Sequence, residues 1–557
     1  MPPILATRLP DRAWFQALLA VASAVLMAWA FPDRSYAGLA WIALVPLLWA
    51  IALARTTLRA LVWGWLCGTL LMLFATTWLA PAIGRFAELS TIPSWILLLG
   101  VASLEGLALG LSAALLFQAR KHYPVWPMAA LAPIALVCAE ALIPTVFERK
   151  LGFTQAGVPG IIQVADLTGL LGVSFLIVMV NGCCYDLAAA LRRGRLPWPA
   201  LTATAMVLAL ALLYSHQRLR SVDQQRASAP QVRVGVVQGN LGHEEAANPA
   251  LAAAQFARYA GASRALKQAG AQLIVWPEAA HPYSLQRDRL TAGHENKLSA
   301  LARELGVPLL AGAMTLGQPD PPSPGEAQAQ ARRLADRYNS ALLFDPRDAN
   351  VQIYDKHLLF PVAEHLPFAH LWPRLEEEWF PGRRTMAGTD QTLLTAEPLR
   401  MGPLICYDEL HANFARGLVP LGPNLLVSLG SAAQFGGESA PRQYLALAVF
   451  RSIELRRDLV RASQNGISAI VDASGRVLTQ TRPVDPEQEP GVEAFGMSGS
   501  VALLDGPPSF YARHGDVFAW LNLLAALLLA IRTMTAGPPA SPAPHPHRSG
   551  VAPPSHP

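Results

Sequence analysis

Charge is scarce in this chain of 557 residues: Asp, Glu, Lys and Arg make up 15% of it, against 52% hydrophobic residues. That ratio is too apolar for an ordinary soluble enzyme of this length and implies a membrane protein. Cysteine is scarce as well, five in all, and the count does not suit a structural zinc site. The histidines His357, His365, His370 and His411 fit no helical or turn ligand spacing, so no metal and no cofactor is expected. The formal net charge of +5 is small for this length. Its basic residues cluster between hydrophobic runs, which reads as membrane topology and excludes nucleic acid as the partner.

What is present falls into two regimes. Seven apolar runs, roughly Ala13–Ala30, Gly38–Ala54, Leu61–Ala80, Ile92–Phe117, Val125–Ile143, Ile161–Leu191 and Pro197–Tyr214, precede a less apolar middle, and an eighth covers Asp516–Ile531. Each approaches the ~20 residues that a helix needs to cross hydrocarbon. With a cytoplasmic N-terminus, the inside connections carry Arg8, Arg12, Arg55, Arg59, Arg120, Lys121, Arg192, Arg193 and Arg195. The outside ones carry only Arg34, Arg85, Arg149 and Lys150, the asymmetry expected of that orientation. The expected layout is a seven-span membrane domain over 1–216, a catalytic domain over 217–513 in the periplasm or outside the cell, a last span over 514–535, and a disordered cytoplasmic tail over 536–557. Segment 317–331 also reads as unstructured. Trp14, Trp41, Trp78, Trp95, Trp126 and Trp198, near the run ends, are expected at the membrane interfaces. Glu105 and Glu140 fall inside predicted spans, where a carboxylate must be protonated, paired or turned to a polar interior.

The middle part alternates strand-like runs with helical patterning, from 232–240 and 271–278 to 404–407, 424–429 and 467–472. This implies an α/β domain with its site at the ends of strands. Cys67, Cys138, Cys183 and Cys184 lie in the apolar runs as small hydrophobes. Cys406, closing Leu404-Ile405-Cys406, is the only cysteine outside them and has no partner for a disulfide. It is therefore the candidate nucleophile, with a buried core thiol as the plain alternative. A thiol with an ordinary pKa of about 8.5 needs a base or a nearby cation to react near neutral pH. Glu278, after Trp276-Pro277, and Lys356, in Tyr354-Asp355-Lys356, sit at strand ends and can supply both. The run Arg451, Glu454, Arg457, Arg461 has helical spacing and is expected to pair internally.

Glu278, Lys356 and Cys406 in this order resemble the nitrilase superfamily, and their fusion to a multi-span membrane part resembles the apolipoprotein N-acyltransferase family. Val237-Gln238-Gly239-Asn240, the residues Pro361, Glu364, Leu366 and Pro367, the run from Arg451 to Gly466, and Tyr511–Asp516 carry the same resemblance. It implies a nitrilase-like αββα sandwich beside about eight transmembrane helices in a bacterial inner membrane, acting as a monomer. It also implies acyl transfer from a membrane phospholipid, through a thioester on Cys406, to the α-amine of a diacylated apolipoprotein. Glu278 would be the base and Lys356 with the Tyr407 N–H the oxyanion donors; Glu364, Tyr407 and Asp408 would support them. The chain departs from the family pattern in Asp408, a residue shorter by a methylene than the usual Glu unless Glu409 substitutes, and in Ser431–Gln434, so acyl or acceptor preference is expected to differ. A membrane-anchored amidase ending on water, and a scaffold without activity, are the alternatives.

Overall fold

Within a bilayer every backbone N–H and C=O must be satisfied internally, so the apolar runs are built as helices. The computed structural model describes residues 12–535 except 35, 88, 148–149, 242–244, 246–247, 292–295, 318–335, 362, 367–370, 373, 376–384, 433–434, 486–488 and 490. The expectations for the 536–557 tail, for Arg8, Arg149, Pro367, His370, Ala433 and Gln434, and for 318–331 lie outside these residues. The membrane part consists of α1 (Ala13–Trp29), α2 (Val45–Ala52), α3 (Thr57–Ala75), α4 (Leu79–Ala87), α5 (Thr91–His122), α6 (Met128–Leu142), α7 (Leu170–Leu191) and α8 (Trp198–Ser228).

Among the described residues four helices, α3, α5, α7 and α8, are by themselves long and apolar enough to cross a membrane. Four stretches are apolar but shorter: Ala13–Trp29, Ala37–Ala52, Met128–Leu142 and Val517–Arg532. Breaks inside the apolar runs account for part of this. The second run opens as a 3₁₀ turn over Ala37–Trp41 before α2 begins. The buried amide of Asn181 closes that break, donating to Ala40 O (2.9 Å) and accepting from Leu44 N (2.8 Å). The sixth run breaks at Gly169 (φ +63°), where a Cβ would lie 2.5 Å from the Tyr511 ring. The close approach of α3 and α5 rests on facing glycines, Gly68 against Gly106, the small-residue packing that replaces the hydrophobic effect between helices in lipid.

The two intramembrane carboxylates turn inward, as their cost in lipid demands. Glu105 accepts from Val146 N (3.1 Å) and Glu140 from Leu151 N (2.9 Å), so both hold the loop that leaves α6.

Helix α8 runs on to Ser228 and then feeds strand β1 (Gln231–Gln238). Arg226, near its end, donates from Nε (3.0 Å) and Nη2 (3.0 Å) to the buried Asp458 carboxylate, tying the helix to the second domain. The remaining strands are β2 (Leu273–Val275), β3 (Leu285–Gln286), β4 (Leu309–Leu316), β5 (Arg337–Phe344), β6 (Gln352–Asp355), β7 (Thr385–Met386), β8 (Leu394–Ala396), β9 (Leu399–Ile405), β10 (Leu425–Gly430), β11 (Leu459–Ser463), β12 (Ala469–Val471), β13 (Val477–Gln480) and β14 (Phe495–Ala502). The first sheet is ordered β14-β1-β2-β4-β5-β6, with β3 and β7 on its margins; the second is β13-β12-β11-β10-β9-β8.

Val234, Val236, Val275 and Leu343 of the first sheet interlock with Met401, Ile405, Val427 and Val460 of the second, forming the central apolar layer. Such near-continuous apolar strands are what a sheet covered on both faces requires. Helices α9 (Ala252–Gln268) and α10 (Lys297–Leu305) cover the outer face of the first sheet. On the second sheet lies α11 (Ala412–Gly417) and, chiefly, α12 (Ser439–Leu455), from which Phe450 and Ile453 join Leu426 and Leu459 in one core with the membrane helices. The four layers are therefore αββα, with one helical layer shared with the membrane part. Because α12 is covered on both sides, nearly all of its residues are buried. Its Arg451 and Glu454 pair internally (3.0 Å), as expected. Arg457 and Arg461 do not belong to that helical stripe. Helix α12 stops at Leu455 with Arg456 in the left-handed region (φ +54°), and Arg461 lies on β11. Short helix α13 (Phe510–His514) then leads through Gly515 into α14 (Val517–Thr535).

Candidate active site

Three strand ends converge at the rim of the sandwich. Glu278 follows β2, Lys356 follows β6, and Cys406 follows β9. Consecutive parallel strands β9 and β10 put Cys406 on the carboxyl edge of the second sheet, the usual place for a site in such folds. Cys406 opens a 3₁₀ turn with φ +51°, and Ala279, next to Glu278, has φ +47°. Left-handed backbone is uncommon away from glycine, and its presence at both positions marks a turn held by its surroundings in order to aim a side chain.

The charged groups form one compact cluster. Lys356 Nζ lies 2.7 Å from Glu364 Oε2 and 3.7 Å from Glu278 Oε1, with its side chain 2% exposed. Asn339 Nδ2 on β5 donates to Glu278 Oε1 (2.7 Å), and Phe360 N donates to Glu364 Oε2 (2.7 Å). The Cys406 thiol and the Glu278 carboxylate act on each other electrostatically. Burial pushes the thiol well above its ordinary value and the Glu278 charge adds to this, while the Lys356 ammonium opposes it. Burial also raises Glu278, against the pull of Lys356. Burial alone would lower Lys356, but the negative charge around it outweighs that and raises it, so the ammonium persists. The resting state is thus a thiol facing a buried carboxylate and a fixed cation. A nucleophile of this kind loses its proton as it attacks, and a carboxylate of raised pKa is the matched acceptor.

Asp408 braces the site. Its carboxylate accepts from Leu358 N (2.8 Å) and Ile405 N (3.2 Å), locking the loop after Lys356 to the strand before Cys406. Burial raises its pKa to about 7 despite those bonds. Glu409 does not take that place. It turns the other way, accepting from Ser428 Oγ and from Arg461 Nε (3.1 Å), and Arg461 Nη1 donates on to Ile467 O (2.6 Å). Tyr407 donates its hydroxyl to Val146 O (2.5 Å) in the loop that Glu105 holds. Its ring stands edge-on to Phe360 at 5.2 Å and to His411 at 4.6 Å.

Phe360 in turn packs against Phe86 and Phe147, at 5.7 and 6.0 Å, and Trp78 packs against Phe147, Phe435 and Tyr444. An aromatic surface therefore joins the cysteine turn and the lysine loop directly to the membrane part. All six sequence-selected residues, Glu278, Lys356, Glu364, Cys406, Tyr407 and Asp408, meet around this point. Sequence reasoning missed Asn339 and the Glu409–Arg461 pair. Asn339 sits in an unremarkable strand, Arg461 looked helical, and neither pairing has a local signal.

Two family descriptions match the chain in succession: the apolipoprotein N-acyltransferase N-terminal domain over residues 23–183 and the carbon-nitrogen hydrolase family over residues 233–488. Among solved structures, an amidase from Nesterenkonia sp. is 18% identical, covering 52% of this chain and 96% of its own, with a TM-score of 0.34. Among relatives, the apolipoprotein N-acyltransferase of Azotobacter vinelandii is 28% identical, covering 93% of this chain and 94% of its own. That of Geobacter metallireducens is 30% identical over 530 residues, 92% of this chain and 94% of its own. The nitrilase-like sandwich fused to apolar helices, and a relative of this identity along nearly the whole length, lead to one conclusion: the chain belongs to the apolipoprotein N-acyltransferase family.

Proposed function

We propose that the protein completes bacterial lipoproteins by N-acylation, in two steps carried by Cys406. In the first, Cys406 Sγ attacks an ester carbonyl of a membrane phospholipid while its proton passes to Glu278. The C–O bond breaks, the alcohol of the lysophospholipid leaves with that proton, and a thioester remains. In the second, the free α-amine of a diacylglyceryl-cysteine attacks the thioester, loses a proton to Glu278, and forms the amide as the C–S bond breaks; the proton returns to the thiolate. Each step passes through an oxyanion, which Lys356 and the Tyr407 N–H stabilise. Glu364 holds Lys356 in place, and Asp408 fixes the two loops in register.

The observation that carries this reading is the juxtaposition of a Glu–Lys–Cys cluster with an aromatic surface shared with the membrane part, Phe86 and Phe147 against Phe360, on which Tyr407 packs. A water-soluble substrate gives no reason for that attachment; a lipid donor does. In this reading the four long apolar helices and the four shorter apolar stretches supply eight crossings of the inner membrane, and the charge asymmetry of their connections puts the sandwich on the periplasmic side. The departure at Ser431–Gln434 bears on acyl-chain or acceptor preference, since Phe435 beside it belongs to the same aromatic surface.

The test uses purified full-length protein with labelled phospholipid and a diacylated lipopeptide. The expected result is a hydroxylamine-sensitive acyl adduct, absent in Cys406→Ala, and triacylated product. Release of free fatty acid without product would convert the reading to a hydrolase, and equal inertness of wild type and Cys406→Ala would end the catalytic assignment.

A further inference from the structure

A second feature lies away from the nucleophile, where the catalytic domain meets the last membrane helix. Asn413 and Arg416 of α11, Val419 and Pro420 after it, and Pro508 and Arg513 around α13 line an open cleft of about 490 Å³. Among the described residues no acidic side chain lines it. Arg416 is seated with care: Nη1 donates to Asn413 Oδ1 (2.8 Å), and its guanidinium stands over the Tyr511 ring at 5.5 Å. It also lies flat on Gly515, where a Cβ would sit 2.6 Å from both Nη1 and Nη2, so the φ +69° glycine serves close approach as well as the turn. Arg416 Nε is buried and has no acceptor. Arg513 is exposed, and among the described residues neither arginine ion-pairs with a carboxylate.

A fixed guanidinium without a counter-ion, a second free cation and apolar walls, set four residues before Val517 opens a membrane helix, complement one ligand: a phosphodiester at headgroup depth with the glycerol and upper chain beside it. Phe414 and Arg416 are two residues apart on α11 and point to opposite sides. Phe414 packs on His357 at 5.3 Å, beside the catalytic lysine, so the cleft is on the far side of the helix from Cys406. We propose that this cleft binds the phosphodiester of a membrane phospholipid other than the acyl donor, docking α11 and the cysteine turn it follows onto the bilayer surface. The inference rests on the membrane placement of α14 given under the proposed function, and not on the acyl-transfer chemistry.

The experiment measures binding of dioleoylphosphatidylglycerol to the full-length protein in neutral detergent by native mass spectrometry. Each surface cation is worth about fivefold in affinity for an anionic lipid, so Arg416→Gln with Arg513→Gln weakens binding about thirtyfold, while Arg416→Lys with Arg513→Lys recovers most of it. If the double variant does not fold, the exposed Arg513→Gln alone is expected to lose about fivefold. A change below twofold in every folded variant overturns the proposal, and so does inorganic phosphate binding as tightly as the lipid, which would make it a phosphate site. Cys406→Ala is expected to bind the lipid as wild type does. Arginine-dependent binding without any thioester therefore sinks the acyl-transfer reading alone, and a thioester with arginine-independent binding sinks this one alone.

Discussion

Gly312 offers a sharp test of how the site is positioned, because it is required for space and not for conformation. It lies on β4, and a Cβ there would stand 2.1 Å from Pro277 O, 2.8 Å from Glu278 Cα and 2.9 Å from Ala279 N. All three are backbone atoms of the turn that carries the proposed base. A carbon and an oxygen need about 3 Å or more, so in Gly312→Ala the Glu278 turn must retreat by about 1 Å. Overpacking of this kind costs about 1–3 kcal/mol of stability. Its larger effect is on catalysis, since a displacement of about 1 Å in a reacting group can cost ~100-fold in rate, or about 2.7 kcal/mol of barrier. Gly499→Ala serves as control: its Cβ meets the side chains of Ile470 (2.8 Å) and Thr479 (3.1 Å), which can yield without moving the site. Triacylated product formation by the full-length protein in phospholipid–detergent micelles should fall about 100-fold in Gly312→Ala and stay within threefold of wild type in Gly499→Ala, with similar losses of thermal stability. Wild-type activity in a folded Gly312→Ala protein would refute the claim that Glu278 must stand where it does.

Three further outcomes follow from the charges around the site. Glu364 raises the pKa of Glu278 through like-charge repulsion, so Glu364→Gln should shift the acidic limb of the pH–rate profile to lower pH while slowing turnover; an unmoved limb would show that Glu278 is not the titrating base. Arg461→Met leaves Glu409 buried without its cation, at a cost of about 3–5 kcal/mol readable as a drop in the unfolding midpoint; a midpoint unchanged within error would refute the dependence of the buried Glu409 carboxylate on Arg461. Asp408 has a folded pKa of about 7, above its unfolded value of 3.8. Its contribution is therefore most favourable below about pH 4, is lost progressively up to about pH 7 and is constant beyond, about 4 kcal/mol in all. Equilibrium unfolding of wild type against Asp408→Asn between pH 4 and 8 checks this, since the variant should lose that part of the slope.

Much of the candidate site was legible in the sequence because Glu278, Lys356 and Cys406 each follow a strand, and strands announce themselves locally by β-branched runs closed by a turn. Glu278, Lys356 and Cys406 could be placed by that signal alone. Asn339 and Arg461 could not, because a hydrogen bond across strands leaves no mark in the spacing of either partner. Arg461 illustrates the failure well: three- and four-residue intervals from Arg451 suggested one helix face, but the helix ends at Leu455 and the last two intervals cross a turn into β11. The apolar runs were equally visible, while their breaks at Trp41 and Gly169 were not, since tertiary partners such as Asn181 and Tyr511 satisfy or fill them.

By itself, the sequence determined that the chain has an apolar helical part and an α/β part, and which thiol lacks a reason to be buried. Hydropathy and periodicity are properties of neighbouring residues, so no folding is needed to read them. Only the tertiary structure decided that α12 is shared between the two parts, that Phe360 meets Phe86 and Phe147 while Tyr407 packs on Phe360, and that Arg416, among the described residues, is held without a counter-ion near the foot of α14. Those arrangements join segments far apart along the chain, and their geometry exists only once both domains have packed.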